Sequence, residues 1–342
     1  MPRLSVIAIV VVALLAAAVA GWSLLWSAAA RKTGAVLDAW IENESQLGRD
    51  WTCPGRRIGG YPLDIEVSCA DLQFHGEILE ENFAGSLKGF RAVATVLQPD
   101  RVTLRMEPPF AGKTPDGEID FQLAWNSLKV TIEGRPSALT RLSIDGDQFT
   151  VKGSAGALGA IDAGAQSLRA SVAPAPSGAE AALDFQIALD GAVIPALAIP
   201  LGLDAPLDAA LGGSILRADV SGAGTLAERI EHWRVGGGRL DLKTAQLTSG
   251  ASKISASGAL DLDEGHRPRG KLDAAFEGVN PILLRLGVDP QVLAASSLLT
   301  RFLRNSQDKA GAPDTTRLPL RLTDGWVWIG PIRTPVRLSP LY

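Results

Sequence analysis

From Tyr61 onward the chain alternates apolar and polar side chains at every second residue, and this rhythm constrains the fold more than any other feature. Tyr61, Leu63, Ile65, Val67 and Cys69 fall on one side; Pro62, Asp64, Glu66 and Ser68 fall on the other. A period of two belongs to β-strands with one face turned from water. It returns at Val102, Leu104 and Met106, set against Arg101, Thr103 and Arg105. Ile119, Phe121, Leu123 and Trp125 form another face, followed by Leu128, Val130 and Ile132. Leu142 with Ile144, Leu168 with Val172, and Leu183 through Leu189 continue it. So do Leu240 with Leu242, Leu260 with Leu262, and Leu272 with Phe276. Turn signals stand between these runs: "QPD" at 98–100, "IDGD" at 144–147, "LDG" at 189–191, "LDEGHRPRG" at 262–270, and Asp324-Gly325. About a dozen strands joined by short turns imply an antiparallel meander with one wet face. An apolar face that long must curl, pair with a second sheet, or be covered by helices. Composition agrees, because Gly reaches 36 of 342 residues and glycine disfavours helix.

Helical signals are few. Leu4 to Ala30 carries no charge and exceeds the ~20 residues needed to cross a bilayer. Trp22 and Trp26 near its far end suit the membrane interface. A cleaved signal peptide is the rival reading, with "SAAA" at 27–30 offering small residues, but its apolar region is normally ~7–15 residues. The stripe Val36, Leu37, Trp40, Ile41 and Leu47 predicts that a helix continues beyond the apolar run, rests its Trp40 side on the β domain and ends near Gly48. Pro281 and Pro290 open two further helical patterns within 280–307, and the apolar, Pro-broken segment 195–213 reads as a loop with a short helix over a sheet end. The expected organisation is a transmembrane anchor at 1–30, an amphipathic linker helix at 31–50 and a β-rich domain at 51–342. That domain has a possible division near 195–213. Arg3 on one side and Arg31 with Lys32 on the other leave the positive-inside rule undecided.

The only two cysteines, Cys53 and Cys69, flank "PGRRIGGYP", where a Pro-Gly turn and a glycine pair let the chain double back. A disulfide between them would close a loop of roughly 15–17 residues, worth about 3 kcal/mol. The alternative is two reduced thiols. A disulfide suits an oxidising compartment. With the very short segment before the apolar run, it favours a bacterial inner-membrane protein whose C-terminal domain faces the periplasm.

Patterns that carry catalysis are scarce. His75, His232 and His266 show no metal-ligand spacing with one another or with the cysteines. "AGKTPDG" at 111–117 resembles the end of a phosphate loop, but Glu107 stands where the first glycine is required. "GGGRLDL" at 236–242 is not followed by a helical pattern and no G-x-S-x-G occurs. The net charge of -4 has no basic cluster for nucleic acid. Nothing points to an enzyme, a cofactor or a metal. Trp326 and Trp328 share one strand face, as core aromatics or as a lining for an apolar ligand. Arg267 and Arg269 lie in a turn, either solvated or placed to meet anionic headgroups.

"GRDWTCPGRRIGGYPLDIEVSCADLQF" resembles the opening of an alphaproteobacterial envelope family, the domain of unknown function 2125. That family has an N-terminal anchor, a Cys before an I-G-G-[FY]-P turn and a second Cys ending the next strand. Cys53, Ile58, Gly59, Gly60, Tyr61, Pro62 and Cys69 match it. Residues 233–287 and the closing "LPLRLTDGWVWIGPIRTPVRL" are more loosely similar to AsmA-like envelope proteins, with their G-x-L-x-L-D strands. That likeness implies an inner-membrane-anchored periplasmic β-structure concerned with the outer membrane and phospholipid traffic. The expectation is therefore a mainly β protein, a long curved antiparallel meander with a few covering helices behind a transmembrane helix. It would handle an apolar ligand, a lipid, in envelope maintenance without being an enzyme. The alternative is an envelope scaffold with a packed core and a protein partner.

Overall fold

A computed structural model describes residues 2–78, 81–135, 138–156, 159–176, 182–196, 205–218, 225–279 and 315–342. The chain opens with one continuous helix, α1 (Pro2–Gln46). It ends where Gly48 takes φ 74° and Arg49 turns back to bind Glu44 at 2.7 Å. Strands β1 (Arg49–Thr52), β2 (Arg57–Gly59), β3 (Asp64–Ile78), β4 (Glu81–Thr95) and β5 (Gln98–Lys113) follow. Next come β6 (Ile119–Ala124), β7 (Ser127–Arg135), β8 (Ala138–Ala155), β9 (Ala160–Pro174), β10 (Leu183–Ala192) and β11 (Leu207–Leu216). A short helix, α2 (Leu226–Val235), precedes β12 (Arg239–Ser249), β13 (Ser252–Leu262) and β14 (Pro268–Glu277). The last strands are β15 (Thr315–Thr323), β16 (Trp326–Ile329) and β17 (Ile332–Arg337).

All 17 strands belong to one sheet, and every pairing is antiparallel. β1 and β2 both pair with β3, and β6 and β7 both lie between β5 and β8; otherwise each strand pairs with its sequence neighbours. The expected meander is thus the fold. The sheet continues on both sides of residues 192–207, since β10 pairs with β11 from Leu183–Ile215 to Ala192–Leu207, with a register shift between Leu189 and Ala192.

Several sequence expectations need correction. Within 195–213, the part from Leu207 is strand β11, because Leu207, Ala209, Leu211 and Gly213 alternate with Asp208, Ala210 and Gly212. "IDGD" is no turn: β8 runs straight through it, and Gly146 leaves room for the Phe149 ring and a Leu128 methyl. "LDG" at 189–191 also lies within β10. The β4–β5 turn falls at Val96–Leu97, ahead of "QPD". Tyr61 and Leu63 belong to the turn before β3 rather than to the strand. The helical patterns at 280–307 lie outside the described residues.

Positive φ at Asp71 (58°) and Gln148 (55°) accompanies a one-residue slip in the alternation. In β8 the apolar set passes from Leu142 and Ile144 to Phe149 and Val151, yet the Phe149 ring stays on the side of Gly146 and Leu128. Ala274, Phe276, Leu318 and Ile329 on β14–β16, with Val279 just after β14, form a buried hydrophobic cluster. At the other end Val67, Cys69, Phe74 and Leu87 are buried on β3 and β4.

Candidate functional site

Antiparallel registers set the side chains of all strands in cross-strand rows, and two neighbouring rows are apolar along almost the whole sheet. The first starts at Ile65 and passes through Ala94, Val102, Ile132, Leu142 and Val172. It continues through Phe185, Gly213, Leu242, Gly258, Leu272 and Leu320, ending at Ile329 and Ile332. The second runs from Ile58 and Val67 through Leu104, Val130 and Ile144 to Ile187, Leu211 and Leu318, with alanines between. At ~4.8 Å per strand, thirteen steps make a strip roughly 60 Å long. The alternate rows are polar: Glu66, Thr103, Thr131, Ser143, Ser171 and Gln186 follow one another with Val93 among them.

A sheet face of this kind is ordinarily packed against another layer. Here its centre is open among the described residues. Ile187, Leu211 and Leu247, on β10, β11 and β12, remain 39%, 41% and 36% exposed. Most other members of the rows are only half-buried. The main contacts of α1 are with β1 and β2. α2 sits at a strand end, where the Trp233 indole donates to the Leu216 carbonyl at 2.8 Å. Exposed apolar patches wider than a few hundred Å² mark interaction surfaces.

The strip begins beside α1. Trp40 packs near Trp51, and Trp51 against Phe74, with tilted rings whose centroids lie 5.7 and 4.7 Å apart. Gly34 of α1 faces the Ile58 methyl. Cys53 and Cys69 form a disulfide that fastens the loop between β1 and β2 to β3. Arg49 donates to Glu44, and that hydrogen bond holds the Glu44 carboxyl below its ordinary range. The helix, the two short strands β1 and β2, and β3 are thus tied along one edge of the sheet. From Ile9 to Gln46, α1 includes a stretch of mean hydropathy 2.4, long and apolar enough to cross a membrane.

The residues singled out by sequence fall elsewhere. Trp326 and Trp328 do share a face, but it is the one opposite Ile329 and the strip. Trp328 lies across from Arg321 and Arg333, and Trp326 from Arg337. The Arg333 guanidinium covers the Trp326 ring at 4.6 Å and Arg321 approaches Trp328 at 5.8 Å, geometries that suit cation–π attraction. Arg267 binds Asp263 at 3.1 Å and Arg269 binds Asp261 at 2.8 Å, so both guanidinium groups are engaged within their own hairpin. His75 stands on β3 and His232 on α2, while His266 stacks on Tyr342 at 4.4 Å. Sequence reasoning missed the strip as a single feature. Its members were visible strand by strand, but their alignment depends on the registers.

Fold and strip define a class: a one-sheet β protein whose apolar face is open among the described residues, with a helix able to span a membrane. Residues 26–336 match the family described as an uncharacterized protein conserved in bacteria (DUF2125), and the chain belongs to that family. No curated protein and no solved structure matches it.

Proposed function

We propose that this protein is anchored in a bacterial inner membrane by α1, faces the periplasm, and handles lipid by lodging acyl chains along the apolar strip, without catalysing a reaction. The observation that carries this reading is the strip itself, continuous over the sheet and starting at the helix. Each methylene taken from water onto such a surface gains about 0.8 kcal/mol. The disulfide supports an oxidising compartment for the β domain. The contacts of α1 with β1 and β2 support its retention as an anchor rather than its removal as a signal peptide. A role in envelope maintenance follows from the location and the ligand class.

Photo-crosslinking in cells tests the reading. A benzophenone amino acid at Leu211, on the strip, or at Leu247, beside it on the same face, should yield lipid adducts detectable by mass spectrometry. The same group at Arg169, on the opposite face, should yield none. A stoichiometric protein adduct at Leu211 with no lipid would favour the scaffold instead.

A further inference from the structure

About 20 helical residues cross the ~30 Å hydrocarbon layer, so a span starting at Leu4 reaches the far boundary near Ser23. At that level α1 is bonded to the turn before β3 and to the first residue of β3. The Ser23 and Tyr61 hydroxyls lie 2.9 Å apart. The Trp22 and Trp26 indoles donate to the carbonyls of Pro62 and Asp64, each at 2.8 Å. Trp26 also meets the Tyr61 ring edge-on at 5.5 Å. This corner of the sheet is therefore held at the depth of the lipid headgroups.

The same corner is unusually apolar at its surface. Tyr61, Leu63 and Leu97 are 50%, 54% and 79% exposed. The Val96 N–H donates to the Leu63 carbonyl at 2.8 Å, which holds the β4–β5 turn beside Leu63. Single exposed apolar residues are ordinary; three together at an interfacial depth call for a partner. Just behind them, on the polar face of β4 and β5, lies a depression of about 220 Å³ whose lining includes Arg91, Arg101 and Arg105. Arg91 stands directly across from Arg105, and Arg105 across from Lys129. Like charges in facing positions destabilise a sheet. Arg101 binds Glu133 at 2.6 Å, whereas Arg91 reaches Glu66 only at 3.4 Å. An anion in the depression would relieve this repulsion.

We propose that this corner is a second membrane contact: Tyr61, Leu63 and Leu97 enter the headgroup–acyl boundary while Arg91 and Arg105 bind anionic phospholipid headgroups. Surface binding of this kind combines apolar insertion with basic side chains. Its consequence is that the strip, beginning at Ile65 and Ala94, opens at the acyl layer rather than in water. The proposal rests on the reading of α1 as a membrane-spanning helix.

The test uses the full chain in phosphatidylcholine nanodiscs, with or without phosphatidylglycerol. Nitroxide labels are placed singly at Val12→Cys, Leu97→Cys and Asp116→Cys, and their accessibility to oxygen and to a nickel chelate is measured. Val12 should be immersed and Asp116, in the turn beyond the far end of β5, should be in water. Leu97 should lose most of its nickel accessibility. If Val12 is immersed but Leu97 is as open to nickel as Asp116, the second contact is wrong. If Val12 itself is in water, the anchor reading fails. Phosphatidylglycerol should raise the immersed fraction at Leu97, and R91Q with R105Q should abolish that increase. Equal immersion in both lipids would overturn the headgroup site.

Discussion

Gly213 lies between Phe185 and Leu242 in the first apolar row, and a Cβ there would run into the carbonyl oxygen of Asp241 on β12. A backbone obstacle cannot rotate away, so Gly213→Ala should destabilise the domain by about 1–3 kcal/mol. A urea midpoint equal to that of the wild type would contradict this. Gly112 and Gly146 serve differently, leaving space for the rings of Phe83 and Phe149. From sequence, a glycine at a turn and a glycine beneath a ring look alike, because both positions require only that the Cβ be absent. "IDGD" was misread for that reason. The cysteines were easier to read, since a Pro-Gly turn between two nearby thiols suggests closure. Their sequence separation of 16 sets the expected loss for the C53S/C69S pair at about 3 kcal/mol. It should appear as a lower urea midpoint with little change in slope.

Among elements, α2 was missed although its start is written in the sequence. Thr225 and Glu228 form a capping box, with the Thr225 side chain accepting from the Glu228 N–H. No side chain of this helix is buried, so it lacks the apolar stripe that revealed α1. What fixes it is polar. The Tyr342 hydroxyl donates to Glu231 at 2.8 Å, Arg234 pairs with Glu231 at 2.7 Å, and the Leu341 N–H donates to the His266 carbonyl at 3.0 Å. Arg234 first, then Tyr342, lowers the Glu231 carboxyl from its ordinary 4.5 to about 2. A depressed acid stabilises the fold above its unfolded value, and that contribution disappears as pH falls through the folded one. The clasp should therefore weaken only between about pH 4.5 and 2. Carboxyl-carbon NMR should place the Glu231 midpoint near 2, and Tyr342→Phe should raise it; a wild-type midpoint of 4.5 would contradict the clasp. Strand β16 gives the complementary lesson. Alternation placed Trp326 and Trp328 on a shared face, but arginine stacking makes a tryptophan at home on the polar side. Side assignment required the pairing of Leu320 with Ile329.

At the scale of the molecule, fold class was legible because a two-residue period repeated over most of the chain permits little besides an antiparallel sheet. The apolar strip was not, because it is a property of registers. Shifting one strand by one residue would turn its apolar set to the other face. The pairings run from Ile65 to Ile332 with register shifts at a few points, as between Leu242 and Ala245, and they produce a single surface from side chains scattered along the chain. In the proposed function this surface, and not the other face, receives an acyl chain. Gln186 and Ile187 are adjacent on β10, exposed, and on opposite faces. A bimane fluorophore attached at Ile187→Cys in the full chain should be quenched by a doxyl-labelled fatty acid and restored by unlabelled phospholipid. At Gln186→Cys it should respond weakly. Equal quenching at the two positions, or none at Ile187, would rule out acyl-chain binding on this face.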